Sequence, residues 1–231
     1  MIVSIHQPGY WPWLGMLDKI AKSDLFILLD NVDVKRNSYQ YRNLFYCEGK
    51  AKYLSLPVNK SSRERLNKLS FKNYDWRNIH LNKLKSYYSK ARYFDELNRE
   101  LDAMYNEEWD SPVNFILETM IFAMKYLDIK TEVRRASEFV TNEKKGKLIL
   151  ELCKSVNANV YLSGKGAMSY MQEVADDCWK EGINILWQEF SHPEYEQLSG
   201  FNFVSGLACL DMFFFQGLEN SRKIFWENIR N

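Results

Sequence analysis

One early stretch, His6-Gln7-Pro8-Gly9-Tyr10-Trp11-Pro12-Trp13-Leu14-Gly15, concentrates a histidine, three large rings, two prolines and two glycines. A histidine titrates near neutrality, so His6 is either a general base or hydrogen-bonding group, or a satisfied structural residue. Two prolines stiffen the turn. Tyr10, Trp11 and Trp13 then either wall a pocket beside Gln7 or staple the next helix to its sheet. A second stretch, Asp30 to Asn43, is almost wholly polar. Asp30 joins His6 as a candidate catalytic group. Arg36 and Arg42 can grip a phosphate or carboxylate in a two-pronged way, Lys35 adds charge, and Asn37, Gln40 and Asn43 can read hydroxyls or amides. A solvated loop is the alternative. A third, Tyr161-Leu162-Ser163-Gly164-Lys165-Gly166-Ala167, ends a strand in small residues, where Ser163, Gly164 and Lys165 can receive a phosphate on backbone N–H groups. The spacing of a P-loop is absent. His80 and His192 have no partner legible in sequence and read as surface or structural, and no local signature marks a cysteine nucleophile.

These groups need elements to hold them. Ile2 to Ile5 reads as a buried strand and Leu14, Leu17, Ile20 and Ala21 as a helical face, followed by a second strand from Leu25 to Leu29. In such a β-turn-α-β unit the strands end on one rim, which places His6 and Asp30 together. Strands follow at Lys52 to Val58 and Leu66 to Phe71, separated by a polar loop from Asn59 to Arg65, and a helix spans Trp76 to Arg92. Ser111-Pro112 starts a helix running to Leu127. Further on come a strand at Thr131 to Val133, a helix from Thr141 to Val156, and a strand from Val160 to Leu162. A helix from Tyr170 to Lys180, a strand from Ile183 to Trp187, and helices at Gly206 to Gln216 and Glu219 to Ile229 complete the chain. The expected fold is α/β, a Rossmann-like, mostly parallel sheet flanked by helices, with additional helices in the middle and at the C-terminus.

With 231 residues, 46% of them apolar, the chain can bury a core as a single domain over residues 1–231, although two small domains would also fit. Its 31 Lys and Arg balance 30 Asp and Glu, which leaves no global field for nucleic acid or an anionic membrane. Cys47, Cys153, Cys178 and Cys209 stand far apart without metal-ligand spacing, so reduced thiols are expected and neither a zinc site nor a disulfide framework. No apolar run nears a membrane span and no leader pattern is legible, so the expectation is a cytoplasmic protein with no integral membrane segment.

Taken in order, His6-Gln7-Pro8 with Pro12-Trp13-Leu14-Gly15 and Asp18-Lys19-Ile20, Leu29-Asp30 leading to Asn37-Ser38-Tyr39-Gln40 and Arg42-Asn43, and Tyr161-Leu162-Ser163-Gly164 resemble the WbqC-like protein family of bacteria and archaea. Asn31 departs from the second acidic residue expected after Asp30. The resemblance implies an acyl or aminoacyl transferase of surface-polysaccharide (O-antigen) biosynthesis that N-acylates, or glycylates, an amino sugar on a nucleotide or lipid diphosphate. His6 would take the amine's proton, Arg36 and Arg42 would hold phosphate, and Tyr10, Trp11 and Trp13 would stack on sugar or base. The donor would be an acyl thioester, or an acid activated by ATP. The same pocket would also suit a non-catalytic sugar-nucleotide-binding module. A further similarity, to nucleotidyltransferases with an H-x-G-H turn, would make an acyl-adenylate, with Lys35, Arg36 and Lys165 on the ATP phosphates. Tyr10-Trp11-Pro12-Trp13 takes the place of that turn and lacks both histidines.

Overall fold

The computed structural model describes residues 1–59, 64–72 and 75–230. The chain folds as two compact units, each assembled from separate stretches of sequence. The first comprises Met1–Gln7, Asp18–Val32 and Ile129–Phe190; the second comprises Pro8–Leu17, Asp33–Asp128 and Ser191–Asn231.

Five strands form the sheet of the first unit: β1 (Ile2–His6), β2 (Leu25–Leu28), β7 (Glu132–Arg135), β8 (Val160–Ser163) and β9 (Asn184–Trp187). All neighbours are parallel and the order is β7-β2-β1-β8-β9. Parallel interior strands are covered on both faces, which is why β2 is the uninterrupted apolar run Leu25-Phe26-Ile27-Leu28, buried throughout. On one face Val3, Ile5, Leu25 and Ile27 share a core with Leu148, Ile149, Leu152 and Cys153 of α5 (Lys145–Ser155). Met171 of α6 (Met168–Gln172) and Cys178 of α7 (Ala175–Lys180) join the same core. Strand order grows in one direction from β1 through β2 to β7, then resumes on the other side with β8 and β9. The reversal falls between β1 and β8, and open α/β sheets bind ligands at the C-terminal ends of strands at such a point. The expected Rossmann-like sheet is therefore present.

Helix α1 (Leu14–Ala21) runs from the second unit into the first. The second unit holds the hairpin β3 (Arg42–Cys47) and β4 (Lys50–Ser55), the short pair β5 (Val58–Asn59) and β6 (Ser70–Phe71), and helices α2 (Trp76–Tyr88), α3 (Phe94–Asn106), α4 (Pro112–Leu127) and α8 (Leu210–Arg230). Cys47 pairs with Lys50, so the hairpin turns on Glu48 and Gly49, both with positive φ (49° and 76°). That geometry matches the right-handed strand twist.

Several boundaries differ from the sequence expectation. Pro57 offers no N–H, and the strand expected from Lys52 to Val58 divides into β4 and β5. Leu66 to Phe71 is a 3-10 turn at Leu66–Lys68 followed by β6. The preceding polar loop lies partly outside the described residues. The helix expected from Trp76 to Arg92 ends at Tyr88, and the unexpected α3 follows with Leu97, Leu101, Met104 and Tyr105 on its buried stripe. The helix expected from Thr141 begins at Lys145, and the one from Tyr170 to Lys180 is two short helices. Ser111 caps α4 as expected, its hydroxyl accepting from the Asn114 N–H. The two closing helices are present as expected within Leu210–Arg230, parted at Gly217, whose φ of 73° and ψ of 167° are not helical; the first begins at Leu210 instead of Gly206.

Candidate functional site

The chemistry-bearing groups of the parallel-sheet unit gather at the C-terminal rim. His6 ends β1 and is exposed. Its Nδ1 lies 2.8 Å from the Gln7 carbonyl oxygen. A carbonyl only accepts, so Nδ1 carries the hydrogen and Nε2 presents a lone pair. The ammonium of Lys19 and, after it, the crowding of protein atoms hold the imidazole down to about 3, which keeps it neutral at ordinary pH.

Lys19 is the residue that sequence reasoning missed. In Leu14-Gly15-Met16-Leu17-Asp18-Lys19-Ile20-Ala21, Asp18 and Lys19 are the ionisable residues, and both are buried. Asp18 is engaged elsewhere, with Oδ1 in an ion pair 2.8 Å from Lys22 Nζ and Oδ2 accepting from Gln188 Nε2 at 2.6 Å. The Lys19 ammonium instead donates to the Ile5 carbonyl oxygen at a long 3.5 Å. Burial alone pushes it down to about 7. The signal available in the sequence was the charged pair Asp18-Lys19 set into an otherwise apolar helix.

Ser163 and Gly164 do lie at the switch point, on the end of β8. Ser163 is fully buried, its carbonyl accepts from the Gln188 N–H at 2.7 Å, and its hydroxyl donates to the Gly164 carbonyl at 3.3 Å. Lys165 is exposed, and a Cβ on Gly164 or Gly166 would meet open space. Gln7 is half-buried next to His6.

Asp30 is 1% exposed and both its oxygens are occupied by Ser137, the N–H donating at 2.9 Å and the hydroxyl at 2.6 Å. The carboxylate ties the loop after β2 to the turn after β7.

The remaining expected site residues belong to the second unit. Tyr10 and Trp11 are completely buried, so they cannot stack on a ligand as expected. They form a relay instead. The Trp11 indole N–H donates to the Tyr105 hydroxyl at 2.9 Å, which lies 2.6 Å from the Tyr10 hydroxyl, itself 3.0 Å from His80 Nδ1. His80 Nε2 sits 3.0 Å from the Ser55 carbonyl. Since that carbonyl only accepts, Nε2 carries the hydrogen, Nδ1 accepts from Tyr10, and Tyr10 accepts from Tyr105. Every member is satisfied, and burial holds His80 down to about 4, hence neutral. Trp13 is 40% exposed and lies over Gly15, where a Cβ would be 2.2 Å from the indole.

Gln40 and Asn43 are likewise structural. The Gln40 amide accepts from the Lys35 N–H at 2.9 Å and donates to the Asp33 carbonyl, while Asn43 donates to the Trp11 carbonyl at 2.7 Å. Arg42 opens β3 and sets its guanidinium 4.1 Å from the centre of the Tyr53 ring. Lys35, Arg36 and Asn37 are exposed, Asn37 with a left-handed φ of 54°. Among the described residues no helix is long and apolar enough to cross a membrane.

The uncharacterized protein Rv1507c of Mycobacterium tuberculosis is 28% identical over 221 residues, which cover 94% of each chain. No solved structure matches. The model of the WbqC-like protein family matches residues 7–223, the stretch that carries Pro12-Trp13-Leu14-Gly15, Asp18-Lys19 and Ser163-Gly164. The chain belongs to the WbqC-like protein family.

Proposed function

We propose that the protein is a transferase that N-acylates, or glycylates, an amino sugar carried on a nucleotide or lipid diphosphate, in surface-polysaccharide assembly. The observation that carries this reading is the exposed, neutral His6 at the sheet's switch point, whose Nε2 carries the lone pair. Acyl transfer to an amine requires such an acceptor. The nitrogen attacks the acyl carbonyl, the new C–N bond forms as the donor's C–S or C–O bond breaks, and the amine's proton passes to Nε2. A base held near 3 is weak while Lys19 is charged. Relief of the Lys19 charge, by loss of its proton near 7 or by an anion beside it, would return basicity to His6.

The test incubates the full chain with nucleotide-linked amino sugars and either acyl thioesters or ATP plus a free acid, and follows product mass. We expect an acylated sugar. His6→Ala should lower kcat by about 10²- to 10⁴-fold while ligand affinity is retained. Absence of turnover with every donor, together with weakened sugar-nucleotide binding in His6→Ala, would identify a binding module instead.

A further inference from the structure

A charged side chain removed from water without a counter-ion is costly, and proteins retain one where something else neutralises it. Lys19 is 3% exposed, and its carboxylate neighbour in sequence, Asp18, is engaged by Lys22 and Gln188. The ammonium donates to a neutral carbonyl 3.5 Å away, that of Ile5, next to the exposed His6 at the end of β1. The β1–β8 register pairs Ser4 with Leu162, so one step further along brings Ile5 level with Ser163. Beyond Ser163 the chain offers Gly164 and Gly166, where a side chain would meet only open space. The Lys19 ammonium, held at the Ile5 carbonyl, and the exposed His6 thus lie at the end of β1, beside the strand that leaves the sheet through Gly164 and Gly166.

We propose that this rim is a binding subsite for an oxyanion, the phosphate or carboxylate of a ligand, with Lys19 as its counter-charge. The subsite deepens the transferase reading by giving an anionic part of sugar nucleotide or acyl donor a place beside His6. It does not depend on acyl transfer itself. A bound oxyanion would accept from the ammonium and remove the burden of its burial.

The experiment follows thermal unfolding of the full chain in inorganic phosphate and in acetate, with ionic strength matched by sodium chloride. Wild type should show a saturable rise in melting temperature with at least one of the two, and which one responds tells phosphate from carboxylate. Lys19→Met should melt higher than wild type in anion-free buffer held below about 7, where the ammonium carries its charge, because the uncompensated charge is gone. Its anion affinity should be on the order of 10²-fold weaker. Lys19→Gln, with far-UV circular dichroism as a folding check, provides the same comparison should the methionine not be accommodated. An unresponsive wild type, an equal response in Lys19→Met or Lys19→Gln, or a folded variant that melts lower than wild type without anion would overturn the proposal. Anion binding without turnover would defeat acyl transfer and leave the subsite standing; turnover without an effect at Lys19 would do the reverse.

Discussion

The Trp11–Tyr105–Tyr10–His80 relay shows how a residue's chemistry is set by what surrounds it. Tyr105 both accepts and donates within the relay, so Tyr105→Phe strands the Trp11 N–H and leaves Tyr10 one partner short. An unsatisfied buried polar group costs about 1–3 kcal/mol, and chemical denaturation of Tyr105→Phe should show a loss of that size with little change in m-value. The same relay explains a misreading. Aromatic rings in a Pro- and Gly-rich turn have the composition of a ligand wall, and only Tyr105 and His80, distant in sequence, reveal that the polar atoms of Tyr10 and Trp11 point inward. His6 was legible because a strand end and a turn both announce it. Lys19 was not, since a lysine in a short helix ordinarily reaches solvent.

At the scale of elements, local signals sufficed wherever they were strong. The apolar runs of β1, β2 and β8 announced the parallel sheet, and Ser111-Pro112 announced α4. The misplaced elements are those whose pattern is decided by partners. Arg42 and Asn43 look like loop residues, yet they open β3 because Arg42 lies over Tyr53 and Asn43 holds Trp11. The break in α8 is a further case of local control. Gly217 occupies a region of backbone space nearly closed to other residues, and a Cβ there would lie 2.8 Å from the Tyr93 ring. Gly217→Ala should therefore destabilise by about 1–3 kcal/mol or more, read from the denaturation midpoint. The same substitution at Gly182, which also has a positive φ but faces open space, should cost less.

For the whole molecule, two buried groups set opposing pH limits. Asp211 accepts from Tyr195 at 2.8 Å and Gln197 at 2.6 Å, but burial raises it to about 7. The folded state then holds a proton that the unfolded chain releases, so stability falls as pH rises from the ordinary carboxylate value toward 7. His80, held at about 4 instead of 6.5, acts in the other direction, and stability falls as pH drops through that window. The two windows nearly coincide, so the opposing slopes largely cancel between about 4 and 6.5. Asp211→Asn removes the falling contribution, and its unfolding free energy should rise with pH across that window more steeply than wild type's, by at most about 1.4 kcal/mol per pH unit for one group. An unchanged slope in that variant would show that Asp211 contributes none. The strand order carries a consequence of another kind, for synthesis on the ribosome. Ile2 pairs with Val160, so the central strand of the sheet is made early and waits for one of its neighbours until β8 has been translated. At roughly 5–20 residues per second, that delay is on the order of ten seconds or more. Throughout it the nascent chain displays an apolar strand with one edge unsatisfied, the kind of surface on which premature association begins.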